Sequence, residues 1–95
     1  LAYIKTSETD SRDKVACMHD GSSLVLKNIT FERLMTLLPA GQFCQINKRE
    51  IVALKSVHFF SHNEITMRIQ GENGQPLMVT LSEMYRKNFI QHIKS

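Results

Sequence analysis

What this chain lacks narrows it first. No apolar run approaches the length that crosses a bilayer, and no basic-then-apolar leader opens it, so it reads as a soluble, cytoplasmic domain without a membrane partner. Cysteine is scarce. Cys17 and Cys44 lie far apart, outside any Cys-x-x-Cys spacing, and both fall in strand-like runs. They read as small buried hydrophobes in a reducing compartment, with a disulfide or metal role as the alternative. No Gly-rich phosphate loop, repeat, low-complexity stretch or internal domain boundary is present. Ninety-five residues, 42% of them hydrophobic, suit one small domain with a modest core.

Catalytic groupings are equally thin. Cys17 and His19 stand two apart on a strand and so share a face, as a thiol–imidazole pair would, but no orienting third group or oxyanion donor accompanies them. His58 and His62 have i, i+4 spacing, yet Phe59-Phe60 between them reads as strand, which breaks the helical face that a metal pair requires. The expectation is therefore a protein that is not an enzyme, with no cofactor, no metal and no small-molecule substrate.

What is there reads as mainly β with two helices. Leu1 to Thr6 is a strand and Ser7 to Asp13 a polar loop. Lys14 to His19, Asp20-Gly21 and Ser23 to Lys27 form a hairpin, because Asp-Gly supplies the positive φ of a tight turn. Phe31, Leu34, Met35 and Leu38 fall at i, i+3, i+4 and i+7, an amphipathic helix capped by Thr30 and ended by Pro39 and Gly41. Leu54-Lys55-Ser56 is a tight turn before a strand from Val57 to Phe60. Ile65, Met67 and Ile69 alternate with polar residues as a half-buried strand does, Glu72-Asn73-Gly74 turns the chain, and Gln75 to Leu81 returns it. Tyr85, Phe89 and Ile93 recur every four residues behind a Ser82 cap, a C-terminal helix with one buried stripe.

The net charge of +3 is modest for a nucleic-acid binder, but its distribution is uneven. From Phe43 to Lys55 the cations Lys48, Arg49 and Lys55 face only Glu50, and from Ser82 onward Arg86, Lys87 and Lys94 face only Glu83. Near the start, Lys5, Arg12 and Lys14 are cancelled by Glu8, Asp10 and Asp13. The stretch FCQINKREIVAL, Phe43 to Leu54, reads as a strand entering a polar, basic turn and a second strand leaving it. Such a tip presents cations to an anionic partner without disturbing the core, and DNA is one candidate.

This stretch resembles the signature of the LytTR domain, the DNA-binding output module of many bacterial response regulators. Phe43, Ile46, Lys48, Ile51 and Val52 match that signature, as do Leu38 and Pro39 before it. Gln45 stands where Arg is usual, Asn47 where His, Arg49 where Ser, Glu50 where an aromatic, and Ala53 where Asn. The resemblance covers most of the chain: Leu1 to Ile4 looks like an early strand of the family, Asp20-Gly21 its hairpin turn, Thr30 to Leu34 the opening of its short helix, and Leu81-Ser82 the lead into its last helix.

The resemblance implies a small, elongated domain of short antiparallel sheets with one internal helix and a C-terminal helix. Family members usually carry another strand or two before the first of these, so residues 1–95 are expected to be a fragment of a longer protein with a receiver or other domain upstream. It implies double-stranded DNA as partner, with two domains on paired half-sites in the full-length protein, read by loops that reach into successive major grooves.

The residues corresponding to those loops are Arg12, Asp13 and Lys14; Gln45, Asn47, Lys48 and Arg49; and Met84, Arg86 and Lys87. Each has a plain alternative: solvated loop charges at Arg12 and Lys14 with Asp13 repelling phosphate, a charged hairpin tip at Lys48 and Arg49, a solvated helix face at Arg86 and Lys87. Gln45 and Asn47 would alter base preference if they reach bases, since Arg pairs with guanine and Asn with adenine, whereas Gln45 as a neighbour of Phe43 would only rim the sheet. The competing function is a LytTR-like module that has lost DNA and binds protein or dimerises, through His58-Phe59-Phe60 and the Ile65 to Ile69 strand or through a sheet edge.

Overall fold

The computed structural model describes residues 1–94. A five-stranded antiparallel sheet runs β3-β2-β1-β5-β4, built from β1 (Tyr3–Thr6), β2 (Lys14–Cys17), β3 (Ser23–Leu26), β4 (Phe43–Asn47) and β5 (Glu50–Ala53). A second antiparallel sheet, β6-β7-β8, comprises Val57–Phe60, Glu64–Gln70 and Pro76–Thr80. Helix α1 (Phe31–Leu37) follows β3, a 3-10 turn (Leu54–Ser56) joins the two sheets, and α2 (Glu83–Ile93) closes the chain.

At β1, β4 and β5 the five-stranded sheet is buried on both faces, which explains why β5 reads as an uninterrupted apolar run instead of an alternating one, whereas the edge strand β3 is largely exposed. Ile4, Ala16, Phe43, Ile51 and Ala53 point to one side and pack with Phe31 and Leu34 of α1. Tyr3, Cys44, Ile46 and Val52 point to the other, where Val57, Ile65, Met67, Val79, Leu81 and Phe89 complete a larger core under the second sheet and α2. The alternation in β7 is half realised: Ile65 and Met67 are buried, and so is Thr66 between them.

Local signals hold where expected. Thr30 Oγ1 accepts the Arg33 N–H at 3.1 Å, a side-chain N-cap worth about 1 kcal/mol. Gly21 has φ 90° and Gly41 φ 77°, left-handed values that suit glycine at the hairpin turn and after α1. Ser82 occupies the cap position of α2, but its hydroxyl makes no cap bond. The outline is a flat slab of 32 × 31 × 22 Å in place of the expected elongation, because the layers stack on the central sheet.

One irregularity matters for the site. Gln45 pairs with Ile51 but Asn47 pairs with Glu50, so Ile46 is an extra residue and β4 carries a β-bulge. Strict alternation would have left Asn47 on the face of Phe43 and Gln45. The bulge turns it into the layer of Ile46 and β8.

Candidate nucleic-acid interface

Strand directions bring the candidate loops to one end of the slab. The Ser7 to Asp13 loop leaves β1 and enters β2 there, the β4–β5 turn lies beside it, and the loop at residues 61–63 joins β6 to β7. The start of α2 docks at the same end, with Ser82 N–H donating to the Ile46 carbonyl and Leu81 N–H to that of Asn63.

The β4–β5 turn is braced from beneath. Asn47 is 8% exposed, and its amide donates to Glu50 Oε1 at 2.7 Å and to the Thr80 carbonyl at 2.8 Å. Its Oδ1 accepts the Arg49 N–H at 2.8 Å, closing an Asx-type turn. The buried Tyr3 hydroxyl donates to the second oxygen of Glu50, and burial followed by that carboxylate pushes the phenol well above its ordinary value. From β1, Thr6 N–H and Thr6 Oγ1 donate to the Arg49 carbonyl at 2.9 and 3.3 Å. The backbone of the tip is thereby fixed, while the side chains of Lys48 and Arg49 are exposed and make no hydrogen bond or ion pair with any described residue.

The sequence-predicted residues therefore divide. Lys48, Arg49, Met84 and Lys87 are exposed. Arg86 is half-buried, with Nε donating to the His62 carbonyl at 2.6 Å, which ties α2 to the β6–β7 loop. Arg12 is exposed but forked onto Asp10 through Nε at 3.1 Å and Nη2 at 2.9 Å. Gln45 is half-buried, its amide donating to the Asn47 carbonyl at 3.0 Å.

Asn47, Asp13 and Lys14 are drawn into the fold. Asp13 accepts the Asn28 N–H at 2.9 Å and Lys27 Nζ at 3.1 Å, and these two partners, in that order, hold its carboxyl below the usual range. It holds Asn28 in its left-handed conformation of φ 50°. Lys14 is buried, with Nζ on the Ser11 carbonyl at 2.9 Å and over the Phe31 ring at 5.3 Å. Instead of presenting a free cation, it anchors the Ser7 to Asp13 loop to α1.

Two grooves flank the tip. One of about 650 Å³ is shared by Lys48, Arg49, Met84 and Tyr85, with Lys5 and Tyr3 on its wall. The other, of about 660 Å³, lies on the α1 side, where Lys48 and Arg49 meet Gln45 and Lys14. Sequence reasoning passed over Lys5 and Tyr85. The available signal for Lys5 was its i+2 spacing from Tyr3 on the same strand face.

The catalytic groupings dissolve in three dimensions. His19 lies beyond the end of β2, and its Nε2 bonds Ser56 Oγ at 2.6 Å. Cys17 and Cys44 are free thiols whose ionisation burial pushes up, the opposite of an activated nucleophile. Among the described residues no group of three or more His, Cys, Asp or Glu side chains converges as a metal site, and no helix is long and apolar enough to cross a membrane.

No protein-family model matches the chain, and neither does any curated protein. A solved structure from Bacillus cereus, described as the LytTr DNA-binding domain of a methyl-accepting/DNA response regulator, is similar over 100% of this chain and 82% of its own, with TM-score 0.74 and 15% identity. The likeness spans the whole chain at low sequence identity, and it shows that this chain has the LytTR fold.

Proposed function

We propose that this chain is the DNA-binding output domain of a two-component response regulator, a cytoplasmic transcription regulator that contacts successive major grooves through loops. The observation that carries the reading is the braced β4–β5 turn: its backbone is held by Asn47, Glu50 and Thr6, while Lys48 and Arg49 project free at the end where four connecting segments meet. Free cations on a fixed backbone meet phosphate with little ordering cost, and phosphate contacts set the register from which base edges are read. Arg49 reaches furthest in chemistry, since its guanidinium pairs bidentately with phosphate or guanine. In the full-length protein, phosphorylation of an upstream receiver would bring two such domains together on paired half-sites, the second binding at raised effective concentration.

The test is a fluorescence-anisotropy titration against a randomised duplex pool at two salt concentrations, with the Lys48→Ala/Arg49→Ala variant alongside. Wild type binds in a salt-dependent manner, and the variant binds weakly with a log–log salt slope shallower by roughly 1.8, two phosphate contacts at about 0.9 each. Absence of salt-dependent binding, or equal binding by the variant, overturns the reading.

Protein binding is a second reading with its own observation. On the outer face of the second sheet Phe59 and Met78 stand in register across Thr66, 59% and 54% exposed, beside a groove of about 870 Å³. A module working through that face predicts an affinity indifferent to Lys48 and Arg49.

A further inference from the structure

We infer that Met84 is a base-reading residue that recognises the 5-methyl group of thymine, giving the domain a preference at one base pair that its cations cannot supply. The inference rests on the DNA-binding reading above and goes further by assigning a side chain and a chemical group. Met84 is 84% exposed, more than Phe59, Leu37, Leu24 or any other exposed large hydrophobic residue. It sits in the first turn of α2, on the same groove as Lys48, Arg49 and Tyr85, so a duplex seated on those cations faces its thioether.

Its neighbours limit what it can touch. Glu83 precedes it on the exposed start of the helix, and a carboxylate there repels the phosphate backbone. The side chain carries neither charge nor donor and its sulfur accepts only weakly, which excludes phosphate pairing and hydrogen bonding to the guanine edge and leaves no strong hydrogen bond to adenine. What remains complementary to a flexible apolar chain in the major groove is the thymine methyl, the one apolar group on the base edges there.

The test uses a duplex selected from the randomised pool, with each thymine replaced in turn by uracil, which removes the methyl and nothing else. At one position uracil weakens wild-type binding about fourfold, the factor for one buried methyl-sized group. Met84→Ala weakens binding to the thymine duplex by at least that factor, binds thymine and uracil duplexes equally, and keeps the wild-type salt slope. Met84→Leu, which preserves apolar bulk, retains most of the discrimination.

The inference is overturned if no single uracil changes wild-type affinity, or if Met84→Ala discriminates thymine from uracil as wild type does. Loss of salt-dependent binding by wild type itself is a separate outcome, which sinks the DNA reading and the inference with it.

Discussion

Replacing Asn47 by Ala should unfold the domain more readily without removing any contact to a ligand. The substitution deletes three short hydrogen bonds, to Glu50 Oε1 at 2.7 Å, to the Thr80 carbonyl at 2.8 Å and from the Arg49 N–H at 2.8 Å. At a net ~1 kcal/mol each, somewhat more where a partner is left buried and unsatisfied, the loss comes to about 2–4 kcal/mol. A domain of this size has roughly 5–15 kcal/mol in total, so it stays folded but its melting temperature falls by roughly 10–25 °C. Urea denaturation is the assay: the midpoint drops while the m-value holds.

Asn47→Asp sharpens the test, because it keeps the Oδ1 acceptor but sets a carboxylate where the amide met Glu50. It should cost more than alanine at neutral pH, with the excess shrinking in acid as the new carboxyl protonates. Lys48→Ala, one residue away and exposed, should change stability by less than about 0.5 kcal/mol. If Asn47→Ala matches that control, or Asp is as benign as Ala, the amide does not brace the turn.

Three further outcomes follow from the buried and titrating groups. Tyr3 has a raised phenol ionisation in the folded state, so its share of stability is intact below about pH 10 and is lost as pH rises beyond the unfolded value; Tyr3→Phe should flatten that alkaline decline in denaturation midpoints. Asp13 is depressed in the folded state, so its contribution is present above the unfolded carboxyl value of about 4 and disappears as pH falls through the lower folded one; Asp13→Asn should reduce acid sensitivity while loosening the Lys27–Asn28 segment in amide exchange. Phe89 is fully buried and meets the Phe60 ring edge-on at 5.1 Å, so Phe89→Ala should cost about 3–5 kcal/mol by calorimetry, far more than Phe59→Ala at an exposed position.

Much of this was legible in the sequence, for identifiable reasons. Helix α1 announced itself through apolar spacing and a Thr30 cap, and the β2–β3 hairpin through Asp20-Gly21, signals contained within a few residues. The tip at Lys48 and Arg49 was equally local. What escaped was every feature decided by distant partners. Asp13 looked like an anion among loop charges, yet its role is set by Lys27 and Asn28, and Lys14 looked like a free cation until Phe31 and Ser11 claimed it. Two-residue spacing puts His19 on a strand face with Cys17, but β2 ends first and the imidazole finds Ser56.

Asn47 is the instructive case, because its position in the LytTR signature suggested a base-reading side chain. A single extra residue in β4 reverses the direction that alternation assigns to it. No spacing rule exposes such a bulge, since Phe43, Gln45 and Asn47 alternate correctly up to the residue where the ladder slips.

The consequence reaches specificity. An amide that is buried, with both donors taken by Glu50 and Thr80 and its oxygen already accepting from Arg49, cannot make the two-bond contact that Asn offers adenine. On the proposed DNA-binding function, discrimination at this end would fall to the side chains that remain uncommitted, Arg49 for a guanine edge and Met84 for a thymine methyl, with Gln45 restrained by its bond to the Asn47 carbonyl. A change of polar residue in a signature can thus mean a change of scaffold, leaving base preference to be altered elsewhere on the same surface.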